Sequence, residues 1–210
     1  MTDLEDVLSR LADRDRVRSE ATVQADVRQL LLTGGLGLAE HDLEVELETQ
    51  LGDRRRIDVE VGYTVIEVKK DLRSAGIASA AEAQLAGYVA TRTAQTGQRY
   101  VGVLTDGAEW RAYQLRDGAL AEATRYVVDV VARDETALQF WLEGVLATRR
   151  GVSPTPDEIA ARLGATSPSH ALDRATLAAL YAEHADDPTV RLKREPVSYT
   201  HLTLPTTPYV

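Results

Sequence analysis

The chain contains no cysteine, which excludes disulfide cross-links and any zinc site built on thiolates. Lysine is nearly as scarce: it occurs only at Lys69, Lys70 and Lys193, the other basic positions being arginine. Two adjacent lysines are therefore a local peculiarity. No apolar run approaches membrane-spanning length, and the opening MTDLEDVLSRLADRDR is charged from the start, unlike a secretory leader. A cytoplasmic protein with no membrane partner is expected. Positive charge is also in short supply. A formal net charge of -9 argues against wrapping nucleic acid by bulk electrostatics, so contact with DNA needs a local basic patch, a bound cation or a further domain.

The 210 residues that are present suffice for one ordinary domain with an appendage, or two small ones. Leu4, Val7, Leu8 and Leu11 recur at helical spacing, and Val23, Val27, Leu30 and Leu31 form the stripe of a second helix that begins near Ser19 and ends at Gly34 and Gly35. LEVELETQ alternates apolar and acidic residues over Leu43, Val45 and Leu47, which predicts a strand with one wet face. RRIDVEV and YTVIEVKK read as two more strands joined at Gly62 in a tight hairpin. An Ala-rich helix is expected from about Ala78 to Thr93, then two strands around an Asp106-Gly107 turn, with a short further strand in RYVVDVV. The expected fold class is α/β, a mixed sheet flanked by helices.

DETALQFWLEGVLATRR reads as a closing helix and GVSPTP as a linker, placing the main domain at 1–150. A small helical connector follows over 151–196. Thr155, Pro156 and Glu158 have the layout of an N-cap, a first-turn proline and a capping-box acid; Gly164 closes that helix, and ALDRATLAALYAEH forms another. Residues 197–210 lack core periodicity, and VSYTHLTLPT resembles the translation of a sequencing adapter. The expectation is that this tail is not natural protein and that the native chain continues past about Arg194.

The residues with the most chemistry lie in RRIDVEVGYTVIEVKKD. Strand alternation sets Asp58 opposite to Ile57, Val59 and Val61, and sets Glu67 and Lys69 on one face opposite to Ile66 and Val68. If the strands pair, two carboxylates and a lysine converge. Two close carboxylates repel, a bound Mg²⁺ relieves that repulsion, and a neighbouring lysine can orient or help deprotonate water and neutralise a phosphate. Glu20 shares the Val23 and Val27 side of its helix, where it either joins this site or simply occupies a first helical turn. Gln84 and Tyr88 lie one turn apart and either face the site or serve as a surface residue and a half-buried core aromatic. VIEVKK alone also fits a wet edge strand with cross-strand ion pairs. Glu44, Glu46, Glu48 and Glu60 read as solvated strand positions, with Glu60 a second candidate acid beside Asp58. Arg54, Arg55, Arg56, Lys70 and Arg73 are either phosphate contacts or a solvated run. His41, His170 and His184 have no partners at metal spacing, and Trp110 and Tyr113 read as sheet core or rim.

Taken together, Glu20, Asp58, Glu67-Val68-Lys69 and Gln84-x-x-x-Tyr88 resemble the PD-(D/E)xK nuclease superfamily, and among its branches the N-terminal nuclease domain of type I restriction subunits and of fused restriction-modification proteins. The likeness covers about Arg18 to Val131, with Ile57 where the family has proline. It implies a restriction-endonuclease-like core, Asp58 and Glu67 as Mg²⁺ ligands, Lys69 as catalytic lysine, Glu20 as an auxiliary acid, and Gln84 with Tyr88 as an accessory motif. The segment SPSHALDRATLAALYAEHADDPTVRLKRE resembles the connector that precedes an N6-adenine DNA methyltransferase domain. The implied protein is a DNA endonuclease module of a restriction system acting against foreign DNA. S-adenosylmethionine or ATP would enter only through a downstream methyltransferase or helicase in cis. The alternative is a catalytically silent module of the same fold that binds nucleic acid or docks a methyltransferase.

Overall fold

A computed structural model of the chain describes residues 4–39, 43, 57–116, 118–129, 135–146 and 156–186. Two helices open it. The first, α1 (Leu4–Ala12), buries Val7, Leu8 and Leu11, the stripe read from the sequence. Its last carbonyls are capped by a side chain, the Arg18 guanidinium donating to Arg10 O and Leu11 O at 3.0 Å each. The second, α2 (Glu20–Thr33), starts at Ser19, whose hydroxyl accepts from Thr22 N, and closes with Gly34 N–H on Leu30 O at 2.8 Å.

The sheet begins with β1 (Val59–Val61) and β2 (Thr64–Val68), joined by Gly62 and Tyr63. Gly62 has φ +54, a left-handed backbone that a two-residue hairpin loop needs and a side chain resists. Then come α3 (Ala75–Thr96), β3 (Val101–Thr105), β4 (Glu109–Arg116) and β5 (Ala119–Val127), followed by α4 (Glu135–Leu146), α5 (Pro156–Leu163) and α6 (Pro168–Glu183). Strand order is β1-β2-β3-β4-β5. Only β2 and β3 run parallel, with α3 as their crossover; the other neighbours are antiparallel.

Side-chain alternation divides the core between the two faces of this sheet. Val59, Val61, Ile66, Val68, Val103, Trp110 and Ala112 pack with the buried residues of α1, α2 and α4. Val65, Leu104 and Tyr113 pack on the other face with Ala81, Leu85, Tyr88 and Val89 of α3. Both β2 and β3 are thus covered on both sides, as a parallel pair with a crossover helix requires. Chain contacts gather Met1–Asp173 into one compact unit and Arg174–Val210 into a second. Within the first, Arg162 of α5 pairs with Glu143 and stacks over Phe140, and Ser169 donates to Gly144 O at 3.3 Å. The described part of the second is the remainder of α6 and the turn after it.

Several expectations change here. Ile57 does not share a face with Val59 and Val61; it joins the opposite core with Val65 and Leu104. The strand proper starts at Val59, so alternation does not extend back to Ile57. The last strand begins at Ala119, six residues before the RYVVDVV run. Its opening residues ALAEAT are poor strand formers that pair because β4 offers an open edge. Of the LEVELETQ strand only Leu43 is described, bridging Val61 in antiparallel sense. The other residues of LEVELETQ, His41, Arg54 to Arg56, the expected linker through Thr155 and the 197–210 tail lie outside the described residues.

Candidate active site

Glu67 is the penultimate residue of β2, an interior strand, so its carboxylate is not a wet edge charge. It is 1% exposed. Beyond the strand end, the Lys69 backbone still pairs, its N–H donating to Thr105 O at 2.8 Å. Alternation therefore persists and brings Lys69 Nζ to 2.5 Å from Glu67 Oε1. The other oxygen, Glu67 Oε2, is buried with no hydrogen-bond partner.

Asp58 sits in the bend that enters β1. It immediately precedes Val59, whose partner across the hairpin is Ile66, the residue before Glu67. Asp58 Oδ2 accepts from Val68 N at 2.8 Å, which ties this carboxylate to the strand that bears Glu67. Asp58 Oδ1 accepts from Gln24 Nε2 of α2, also at 2.8 Å. Sequence reasoning missed Gln24, although it falls one helical turn beyond Glu20 and on the same helix face. Glu20 opens α2, and its Oε1 lies 3.6 Å from Lys69 Nζ. At 45% side-chain exposure, it stands at the rim of the patch rather than buried on the Val23 stripe. Its first-turn position and its approach to Lys69 coexist.

The four charges act on one another. Burial, then the Asp58 charge, pushes the Glu67 carboxyl up to about 7, against the pull of the Lys69 hydrogen bond. Burial also raises Asp58, opposed chiefly by the Val68 amide and the Lys69 charge. Burial works against the charge on Lys69, but the hydrogen bond and charge of Glu67, with Glu20 and Asp58 behind them, outweigh it and raise its pKa. Lys69 is accordingly a protonated donor.

Tyr88 of α3 is 1% exposed, and its hydroxyl accepts from Gln84 Nε2 at 2.9 Å. Burial raises its pKa, with the Gln84 hydrogen bond working against it and the Glu67 and Asp58 charges adding to it. Tyr88 is thus a buried core aromatic, and Gln84 donates to its hydroxyl.

Glu60 does not join. It is 4% exposed rather than solvated, and it is enclosed by Arg92, whose Nε donates at 2.8 Å, and by Tyr100 Oη at 2.9 Å. Its neighbour across the hairpin is Val65 on the α3 face, two residues from Glu67, but the guanidinium already neutralises it. Arg73 is turned to Asp71 and Asp15, with contacts of 2.7 and 2.9 Å, and Lys70 is exposed. Trp110 and Tyr113 are buried sheet core, at 0% and 3% exposure.

Among the described residues no three His, Cys, Asp or Glu side chains converge as a metal cage. The donor set at Asp58 and Glu67 is a pair of hard carboxylates, one of them with an oxygen that no described residue satisfies. That fits Mg²⁺, which is held by one or two carboxylates and keeps several waters. A cation there would offset both the burial and the Asp58 charge that hold Glu67 above its ordinary range.

Comparison with protein-family models, with curated proteins and with solved structures returned no match in any of the three.

Proposed function

We propose that this chain is a Mg²⁺-dependent DNA endonuclease module with a restriction-endonuclease-like core, the cutting part of a restriction-modification system directed against foreign DNA. One observation carries the reading: a buried carboxylate, Glu67, with an unsatisfied oxygen, set beside Asp58 and a protonated lysine at the end of an interior strand. Buried polar atoms are nearly always satisfied, and an exception marks a site that is completed by something else. Asp58 and Glu67 would hold the ion. Bound there, it supplies Lewis-acid stabilisation of the charge that develops on a phosphate and lowers the pKa of a water.

The chain's own groups do the rest. The Val68 amide and Gln24 fix the Asp58 carboxylate from two directions, so it is oriented before any ligand arrives. Lys69, protonated, donates to a non-bridging phosphate oxygen or holds the attacking water by its oxygen. It does not act as base in this state, which narrows the expectation that it helps deprotonate water. Glu20, exposed at the rim and 3.6 Å from Lys69 Nζ, would accept a proton from water. In the reaction a water oxygen would bond to phosphorus, the bond from phosphorus to the departing sugar oxygen would break, the water's proton would leave through Glu20 or solvent, and the departing oxygen would take up a proton from solvent. Tyr88, with Gln84 on its hydroxyl, would bound the patch on the α3 side.

Sequence reading and most DNA affinity would come from a methyltransferase or helicase domain in cis, which accommodates the net negative charge of this part. The test is incubation of supercoiled plasmid with the chain and Mg²⁺, alongside calorimetric titration of Mg²⁺. Expected are Mg²⁺ binding that Asp58→Asn weakens and nicking that Lys69→Ala lowers at least about a hundredfold. Equal nicking by Lys69→Ala and parent, or no cation binding by the parent, would overturn the assignment.

A further inference from the structure

Two contacts join the loop between α1 and α2 to the segment that leaves β2. At one end Glu20 Oε1 lies 3.6 Å from Lys69 Nζ. At the other, Arg73 Nη1 donates to Asp15 Oδ1 at 2.9 Å and Nη2 to Arg14 O at 3.2 Å. Polar ties hold the loop on its course: Asp13 Oδ1 accepts from the amides of Asp15 and Arg16 at 3.1 and 3.2 Å, and Arg14 reaches Asp106 and Glu109. Its tip stands clear of the protein, with Val17 96% exposed.

The cations at this edge fall into two groups. Arg14 pairs with Asp106 and Glu109, and Arg18 donates to the carbonyls of Arg10, Leu11 and Asp106. Arg73 is shared between Asp71 and Asp15, and Lys69 holds Glu67. Arg16 and Lys70 differ from these. Both are exposed, and neither side chain has a hydrogen bond or ion pair among the described residues. One lies on each of the two joined segments, between the contacts that join them. The acids of those segments are engaged, Asp15 and Asp71 by Arg73 and Glu20 by Lys69.

We propose that Arg16 and Lys70 form a contact surface for the backbone of a DNA strand, taking phosphates that flank the bond to be cut. This rests on the reading of Asp58, Glu67 and Lys69 as a phosphodiester-cleaving site. A strand whose scissile phosphate lies at Lys69 carries further phosphates on both sides of it. In a chain of net charge -9 those phosphates need local cations that no carboxylate already holds. At this edge Arg16 and Lys70 meet that condition, and Arg14, Arg18 and Arg73 do not. Arg16 offers a planar fork to two phosphate oxygens, and Lys70 a point charge. The polar ties of the loop place Arg16 before any strand arrives, so little ordering is left to the moment of binding. Contacts of this kind fix register and orientation and carry no base information. The surface thus sets where the reacting phosphate rests and leaves the reading of sequence to another domain.

The test is fluorescence anisotropy of a labelled DNA duplex titrated with the full chain, in EDTA so that neither a bound cation nor cutting contributes, and repeated as salt rises. Each phosphate contact adds about 0.9 to the slope of log affinity against log salt. Arg16→Gln and Lys70→Gln should each lower that slope by about one contact and weaken binding at low salt roughly tenfold. Arg116→Gln is the control. It removes the same charge from an exposed arginine at the far end of β4, about 20 Å along the strand from the Trp110 that pairs with Thr105, and should leave the slope unchanged. All three positions are exposed, so each variant should melt as the parent does. A parent that binds no duplex overturns the proposal, as does an unchanged slope in either test variant. An equal fall in Arg116→Gln overturns it too, since bulk charge would then account for the effect. The two readings fail separately. The expected slopes in a chain that neither holds Mg²⁺ nor cuts DNA keep the contact surface and remove the nuclease. Nicking that Arg16→Gln and Lys70→Gln leave unchanged at low salt keeps the nuclease and removes the surface.

Discussion

Lys69 Nζ lies 2.5 Å from Glu67 Oε1 while the second oxygen of the same buried carboxylate has no partner among the described residues. Burial, and then the Asp58 charge, lift this carboxyl into the range where it responds to pH. Its folded-state pKa of about 7 stands above the ordinary 4.5. Between those values the folded chain keeps a proton that the unfolded chain has released, so this group's contribution to stability is fully present below the lower value and is lost as pH rises through the upper one. The whole window corresponds to about 3 kcal/mol. Glu67→Gln keeps the shape without the charge. Its melting temperature should match the parent's near pH 4.5 and exceed it by several degrees at pH 8. A variant less stable than the parent at pH 8 would contradict the account.

Cation binding should reverse that penalty. An ion that binds only the folded chain stabilises it by mass action, about 2.7 kcal/mol at a hundredfold excess over the dissociation constant. Millimolar Mg²⁺ should therefore raise the melting temperature of the parent at pH 8 and leave Glu67→Gln and Asp58→Asn unmoved. An equal rise in all three would mean that the ion binds elsewhere.

How much of this was legible in the sequence follows from what each signal depends on. Asp58, Glu67 and Lys69 could be read because strand alternation and a hairpin glycine fix faces locally, and Gly62 with its positive φ did close that hairpin. Helices α1 and α2 were equally plain from their apolar stripes. Ile57 was misplaced because alternation holds only inside a strand, and the strand starts later than the apolar pattern suggests. Glu60 looked solvated because Arg92 and Tyr100, its partners, lie more than thirty residues away and are brought in by α3. Gln24 escaped because glutamine is common on helix surfaces; only the fold shows that it faces Asp58. The first part of β5 was missed because its strand state comes from pairing with β4 and not from its own residues.

Gln24 tests whether the orientation of Asp58 matters. Its amide donates to Asp58 Oδ1 at 2.8 Å, and loss of a partner that orients a metal ligand typically costs about 10- to 100-fold in metal affinity or activity. Gln24→Ala should weaken Mg²⁺ binding by about that factor while the melting temperature shifts little, because α2 is part-exposed there. Gln24→Glu should do worse, by setting a second carboxylate against Asp58. Unchanged calorimetric affinity in both variants would reduce the contact to packing.

The Glu60, Arg92 and Tyr100 cluster should behave in the opposite way, as structure without function. Burial and the Glu60 hydrogen bond push the Tyr100 hydroxyl up to about 12. Arg92→Met leaves Glu60 buried without its cation and should destabilise by about 3 kcal/mol in urea unfolding. Tyr100→Phe removes one hydrogen bond to a charged group and should cost about 1.5–3 kcal/mol. Neither should alter Mg²⁺ affinity. A change in affinity with either variant would bring Glu60 back as a candidate ligand.

Asp106 links the fold to the segment that leaves Lys69. It is fully buried in the turn after β3. Its Oδ1 accepts from Ala108 N, Glu109 N and Arg14 Nη2 at 3.1, 2.9 and 3.1 Å. Its Oδ2 accepts from Leu72 N at 2.9 Å, and Arg14 Nε lies 3.0 Å from it without the alignment of a hydrogen bond. Every neighbour at both oxygens is a donor, so Asp106→Asn would set an amide N–H₂ against N–H groups at one end or the other. The Gly107 that follows has φ +86, and a side chain there would run into Leu11, a Cβ falling 2.5 Å from its Cδ2. A loss of about 3 kcal/mol is expected. The consequence for chemistry comes through Leu72, three residues past Lys69. With that amide released, hydrogen exchange across residues 70–73 should quicken at a temperature where the variant is still folded, and cutting should fall with it. Fast exchange in that segment with cutting retained would separate Asp106 from the site and leave it a stabiliser of the turn.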